Sequence, residues 1–141
     1  LCGRVVIAVC SSNKSDTTDN PFNWDERREM IQRALQEKNL IEADVTIVGV
    51  PDVSEDAKWI GHVKEKAGAF DAVWTGNRLV QKLCEAAGVE VKEIKKVPGF
   101  DGGSILQMMR DDDAFWDEKV SSSVAAYIKS IDGPNRVRNL G

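Results

Sequence analysis

Trp59-Ile60-Gly61-His62, read through to Thr75-Gly76-Asn77, is the stretch that decides the fold. Its first part is helical in spacing: Ile60, Val63 and Ala67 form a stripe, and Trp59 lies off its centre in the first turn. Gly68-Ala69-Phe70-Asp71 makes a turn, and Ala72-Val73-Trp74 reads as a buried strand. The strand stops at Thr75-Gly76-Asn77, where a new helix begins. Val80, Leu83, Cys84 and Ala87 line its inner face, and Gly88 stops it. A strand that ends in a small polar turn and opens a helix presents backbone N–H groups at the carboxyl edge of a sheet. In open α/β folds that edge binds nucleotides and other small ligands. Trp59 and the turn are expected to border one such crevice. Trp59 has two readings, a packing residue at the rim or a stacking platform for a flat ring.

Upstream, Val45 to Val50 is a second buried strand, rich in β-branched residues. It ends at Pro51-Asp52-Val53-Ser54-Glu55-Asp56, whose last three residues suit the cap and first turn of the next helix. Val5 to Cys10 is a continuous apolar run, as expected of a strand buried on both faces. Ser11-Ser12-Asn13-Lys14-Ser15-Asp16-Thr17-Thr18-Asp19-Asn20 follows, with no apolar side chain. A polar loop of this length at the carboxyl end of a strand is either functional or plainly solvated. Asn20-Pro21-Phe22-Asn23 leads into a helix, with Asn23 and Glu26 spaced as a capping box. Trp24, Arg27, Met30, Ile31, Ala34, Leu35 and Lys38 share its face. Arg27 is the odd member: it pairs with a carboxylate under the loop, or lays its stem along the core edge.

Downstream, Val89 to Ile94 alternates as a short strand near an edge. The resulting order, β-α-β-α-β-α-β, defines an α/β fold: an open parallel sheet with helices on both faces, in one domain over 1–141. The chain starts at Leu1 and enters a strand almost at once, so the domain is expected to be incomplete at its N-terminus. Gly102-Gly103-Ser104 opens a helix running to Arg110, an arrangement that can cradle an anion. Asp111-Asp112-Asp113 reads as the cap of Ala114-Phe115-Trp116 rather than as a metal site. Val124, Ala125, Tyr127, Ile128 and Ile131 make a last amphipathic helix, stopped by Asp132-Gly133-Pro134, before a short basic tail.

Composition narrows the function. The 141 residues carry a net charge of −4, which argues against a nucleic-acid-binding face. No apolar run approaches the ~18 residues of a transmembrane helix, and no signal peptide is visible. Cys2, Cys10 and Cys84 have no metal-ligand spacing and read as small buried hydrophobes in a reducing cytoplasm. His62, the single histidine, makes neither a metal site nor a Ser/His/Asp arrangement alone. It is structural, or it hydrogen-bonds a ligand.

Several segments together resemble the archaeal-type nicotinamide mononucleotide (NMN) adenylyltransferases of the HxGH nucleotidyltransferase superfamily. Asn20-Pro21-Phe22 with Glu26-Arg27 is similar to that family's [D/N]PF…ER segment, and Trp59-Ile60-Gly61-His62-Val63 to its WVGH-like helix. Phe70 to Val80 resembles its FDxVYSGNPLV block, and Arg136-Val137-Arg138-Asn139-Leu140 its closing segment. They come in the family's order over nearly the whole chain. The resemblance implies a Rossmann-like nucleotidyltransferase fold and a cytoplasmic enzyme. The reaction implied is AMP transfer from ATP, with Mg2+, to NMN, giving NAD and pyrophosphate. It also implies that Trp59 stacks on the nicotinamide ring. Thr75, Gly76 and Asn77 would line the adenosine side, Gly103 and Ser104 would hold the triphosphate, and Ser11, Ser12 and Asn13 would border the crevice. Gln107 falls where the family's SGTxIR motif has Arg, and Asp56 near an Asn that faces the substrate amide. The family's first strand and GRFQPFHxGH-type loop have no counterpart here, so these residues alone are expected to be nearly inactive. A homo-oligomer is compatible with the resemblance. So are two alternatives: a non-catalytic nucleotide-binding or regulatory domain, and a related adenylyl- or cytidylyltransferase with another acceptor.

Overall fold

Among the described residues four strands alternate with helices, and their pairing is parallel. The computed structural model describes residues 3–40 and 44–141, so the expectation for Cys2 lies outside the described residues. Strand β1 (Val5–Cys10) pairs with β2 (Val45–Val50), Val5 opposite Val45 and Cys10 opposite Val50. Strand β3 (Ala72–Thr75) pairs with β4 (Glu90–Glu93), Ala72 opposite Glu90 and Thr75 opposite Glu93. The α/β class and the parallel sense are those expected, but the strands form two pairs. Helices join them. Helix α2 (Asp56–Ala67) packs on β1 and β2, α3 (Arg78–Ala86) packs on β3 and β4, and the two helices pack on each other.

Helix α1 (Trp24–Glu37) follows β1 and begins with the expected capping box: the Asn23 side chain accepts from the Glu26 N–H, and Glu26 accepts from the Asn23 N–H. Its first residue, Trp24, lies over Gly49 of β2. A Cβ there would stand 3.3 Å from the Trp24 ring and 2.9 Å from Ser12 Cβ, so only glycine lets helix and loop settle onto the strand.

The main core lies between α1 and the C-terminal helices. These are α4 (Gly102–Arg110), a 3-10 turn (Ala114–Lys119), α5 (Ser122–Ser130) and α6 (Gly133–Asn139). Phe22, Met109, Trp116, Val124, Ala125, Ile128 and Val137 form its buried cluster. As expected, Asp113 caps the 3-10 turn, accepting from the Phe115 N–H at 2.9 Å.

Three further expectations need correction, the first that β3 is a buried strand: its Trp74 is 56% exposed. Strand β1 is not buried on both faces: Val5 is 41% exposed, and Ala8 and Cys10 are exposed too. Among the described residues β1 pairs along one edge only, with β2. Cys84 is buried as expected. The tail after Asp132-Gly133-Pro134 is helix α6, with Val137 fully buried. Proline is tolerated in a helix's first turn, so the segment that ends α5 also starts α6. Among the described residues no helix is long and apolar enough to cross a membrane.

Candidate functional site

The turn between β3 and α3 is held by its own side chains. Thr75 Oγ1 accepts from the Asn77 N–H at 3.1 Å. Asn77 Oδ1 accepts from the N–H groups of Leu79 (2.9 Å) and Val80 (3.3 Å), making Asn77 the N-cap of α3. The Ile94 N–H donates to the Thr75 carbonyl at 3.1 Å, which carries the β3–β4 pairing one step further. Gly76 sits where a Cβ would stand 3.1 Å from the Ile94 carbonyl oxygen and 3.4 Å from Lys96 Cε. Beyond it opens a hollow of about 500 Å³ lined by Gly76, Asn77, Arg78, Glu93, Ile94 and Lys96. That lies within the ~300–1,000 Å³ usual for small-molecule sites. Sequence reasoning placed Gly76 and Asn77 here but missed Arg78 and Lys96. Their signal was present: an arginine just after the Asn cap, and a Lys-Lys pair after the edge strand. It also expected bare backbone amides, whereas those of Leu79 and Val80 are taken by Asn77.

At the start of α4 the geometry differs from an open anion cradle. Asp101 caps the helix, accepting from the Ser104 N–H at 3.1 Å and the Ser104 hydroxyl at 2.7 Å. Those two hydrogen bonds hold the Asp101 carboxyl below its ordinary range, and the nearby Lys96 charge adds to them. A carboxylate thus occupies the place expected for phosphate beside Gly103 and Ser104. Aspartate preceding Gly-Gly-Ser is itself a strong N-cap and competes for the same amides. Gln107 turns its amide to Asp111, at 2.9 Å.

The long loop after β1 is fastened rather than merely solvated. The Ser11 hydroxyl donates to Asp52 at 2.9 Å, Asn13 accepts from the Asp52 N–H at 2.9 Å, and Lys14 Nζ lies 2.7 Å from the same carboxylate. Lys14 and then Ser11 hold the Asp52 carboxyl below its ordinary range. Ser12 lies against Gly49. Among the described residues Arg27 has no carboxylate within 4 Å. It donates to the carbonyls of Cys10 (3.0 Å), Ser11 (2.8 Å) and Lys14 (3.1 Å), clamping the loop through its backbone. Farther on, Arg136 joins the loop's end to α6: it pairs with Glu26 at 2.6 Å and donates to the Pro21 carbonyl at 3.1 Å.

Trp59 and Asp56 lie in the first turn of α2, Trp59 half-buried and Asp56 exposed. Trp59 is not among the residues lining the hollow beside Gly76. The expected site residues therefore fall into four neighbourhoods: the β3–α3 turn, the loop after β1, the start of α4, and the start of α2. A crevice shared by Trp59 and the turn, as expected from sequence, is not what the hollow displays. His62 Nδ1 stands 3.8 Å from Glu65, one turn along α2. Among the described residues no three or more His, Cys, Asp or Glu side chains are grouped to hold a metal.

Parallel β-α-β units with a hollow at the strands' carboxyl ends define the open α/β class, in which small ligands bind at that edge. Residues 1–125 match the profile of the cytidylyltransferase-like family. The chain is 36% identical over 139 residues to the nicotinamide-nucleotide adenylyltransferase of Thermococcus sibiricus, covering 97% of this chain and 74% of that relative. With the protein of the same name from Haloarcula marismortui it shares 34% over 142 residues, covering 97% and 72%. The chain therefore belongs to the cytidylyltransferase-like family, among the archaeal nicotinamide-nucleotide adenylyltransferases. In fold it is similar to a bifunctional NMN adenylyltransferase/ADP-ribose pyrophosphatase from Francisella tularensis, solved with AMP and a manganese ion. That likeness has a TM-score of 0.69 at 17% identity, and covers 98% of this chain and 43% of that one.

Proposed function

We propose that this protein transfers AMP from ATP to NMN, forming NAD and pyrophosphate. A phosphate oxygen of the mononucleotide attacks the α-phosphorus of ATP, the bond to the β-phosphate oxygen breaks, and pyrophosphate leaves. The protein's contribution is to position the two nucleotides and neutralise charge, with no covalent enzyme intermediate. The observation that carries this reading is the hollow over Gly76, of nucleotide size, edged by Arg78 and Lys96 in a chain of net charge −4. The named relatives support the choice of NMN as acceptor.

In this reading ATP and its phosphates occupy the β3–α3 side, with Thr75, Gly76 and Asn77 shaping the floor. NMN approaches from the side of Trp59, whose indole offers a flat face to a cationic pyridinium. Magnesium arrives as part of the ATP substrate. That ion is bound mainly by phosphate oxygens and water. In this reading the reaction takes place in the cytoplasm.

The test uses the intact reading frame that carries these residues. ATP, Mg2+ and NMN should give NAD and pyrophosphate in equal amounts, and the 141-residue chain should bind both nucleotides in calorimetry. Pyrophosphate release with another acceptor, and none with NMN, would contradict the acceptor assignment. Binding without turnover by the intact product would favour a non-catalytic nucleotide-binding domain.

A further inference from the structure

Resting on the nucleotide reading of this hollow, we propose that Lys96, assisted by Arg78, is the residue that holds the nucleotide's phosphate charge, spanning from the β3–α3 turn towards the start of α4. Three observations converge on it. The first is placement. Lys96 lines the hollow, and its stem crosses directly over Gly76, Cγ and Cε standing 3.6 and 3.4 Å from where a Cβ would be. The missing side chain at Gly76 is what gives the lysine this path.

The second is availability. Among the described residues neither Lys96 nor Arg78 has a carboxylate within 4 Å. Two acids face them, Glu93 in the same lining and Asp101 at the start of α4, and both lie outside pairing distance. An ammonium on a flexible stem, with three donors and no partner, can follow an incoming phosphate. The third is elimination. The start of α4 already holds the Asp101 carboxylate, Ser104 has spent its hydroxyl proton on that acid, and Gln107 is engaged with Asp111. A polyphosphate lying between the two helix starts meets its cations at Lys96 and Arg78.

The test is calorimetry on the 141-residue chain with ATP, CTP, adenosine and inorganic phosphate as probes, comparing Lys96→Gln, Lys96→Arg and the neighbouring control Lys95→Gln. Loss of one charge-assisted contact should weaken ATP binding about ten- to hundredfold in Lys96→Gln. Lys96→Arg should restore most of that loss. Adenosine binding should be unchanged, and Lys95→Gln should behave like the parent. Circular dichroism of Lys96→Gln should match the parent, since the side chain is exposed. Equal losses in Lys96→Gln and Lys95→Gln, or equal losses for adenosine and ATP, would overturn the assignment. If CTP binds as ATP does and Lys96→Gln weakens both, the lysine assignment stands and the adenylyl reading falls. If ATP binds the parent and Lys96→Gln alike, the reaction proposed above stands and the lysine assignment falls. Failure of the parent to bind any nucleotide would sink both.

Discussion

Replacing Glu26 by Gln should destabilise the protein while leaving its helices formed. Glu26 does two jobs at once. It closes the capping box of α1, and its carboxylate receives both ends of the Arg136 guanidinium, at 2.6 and 3.1 Å. The two side chains are only 16% and 28% exposed, so the pair is sheltered enough to exceed an ordinary surface ion pair yet not deep enough to count as fully buried. Arg136 also donates to the Pro21 carbonyl and stacks on Phe22, 5.4 Å from its ring centroid. Loss of the charge should cost about 2 kcal/mol, from the ion pair, since Gln at this third helical position still accepts from the Asn23 N–H. For a chain of this length that is a fall in Tm of roughly 6 °C. Burial pushes the Glu26 carboxyl up, but the hydrogen bonds from Arg136 and the Asn23 N–H outweigh it and hold the folded carboxyl below its ordinary range. A depressed carboxyl contributes stability above its unfolded pKa and loses it as pH falls through the folded one. Thermal melts of parent and variant should therefore differ most near neutral pH and converge as the pH falls through the folded carboxyl's pKa. A Tm gap of less than a degree at pH 7, or one that widens on acidification, would refute this reasoning. So would additive losses in a cycle with Arg136→Gln, because coupled partners must lose less together than separately.

Other perturbations probe the remaining joints. Gly133→Ala would place a Cβ 2.5 Å from Ile128 Cγ2 and 2.9 Å from the Ile128 carbonyl oxygen, and overpacking of that kind should cost about 1–3 kcal/mol in chemical denaturation. Arg27→Met removes the clamp on the Cys10, Ser11 and Lys14 carbonyls; amide exchange in residues 11–20 should accelerate at least tenfold, with little change in α5. Gly76→Val crowds the Ile94 carbonyl and the Lys96 stem, so ATP affinity should fall while the melting curve moves only slightly. Trp59→Ala should weaken NMN more than ATP in calorimetry, and equal effects on both would count against stacking.

Much of the fold was legible because local chemistry and global topology agree. The Asn23–Glu26 box, the Asn77 cap, Gly88 after α3 and Asp113 before the 3-10 turn each sit where short-range hydrogen bonding demands them. Strand pairing was harder. The apolar run Val5–Cys10 signals a strand, but which neighbours it finds, and along which edge, depends on tertiary packing that its pattern does not carry. Helix α6 was hidden by Asp132-Gly133-Pro134, whose residues serve both to end one helix and to begin the next. Of the site, Gly76 and Asn77 were legible as the turn of a β-α unit. The cations were not, because a lysine after an edge strand looks like any solvated lysine until the fold lays its stem across Gly76. The spaced segments Asn20-Pro21-Phe22, Glu26-Arg27 and Arg136-Val137-Arg138 gain a plain physical meaning. Arg136 pairs with Glu26 and donates to the Pro21 carbonyl, and Arg27 donates to the Cys10, Ser11 and Lys14 carbonyls, so these segments fasten the polar loop, α1 and α6 together.

The most direct test is an amide NMR titration of the chain with ATP and magnesium. The largest shifts are expected at Gly76, Asn77, Arg78, Ile94 and Lys96, saturating together with one affinity. Shifts confined to the starts of α2 and α4, or to residues 11–13, with the β3–α3 turn silent, would contradict a nucleotide seated over Gly76.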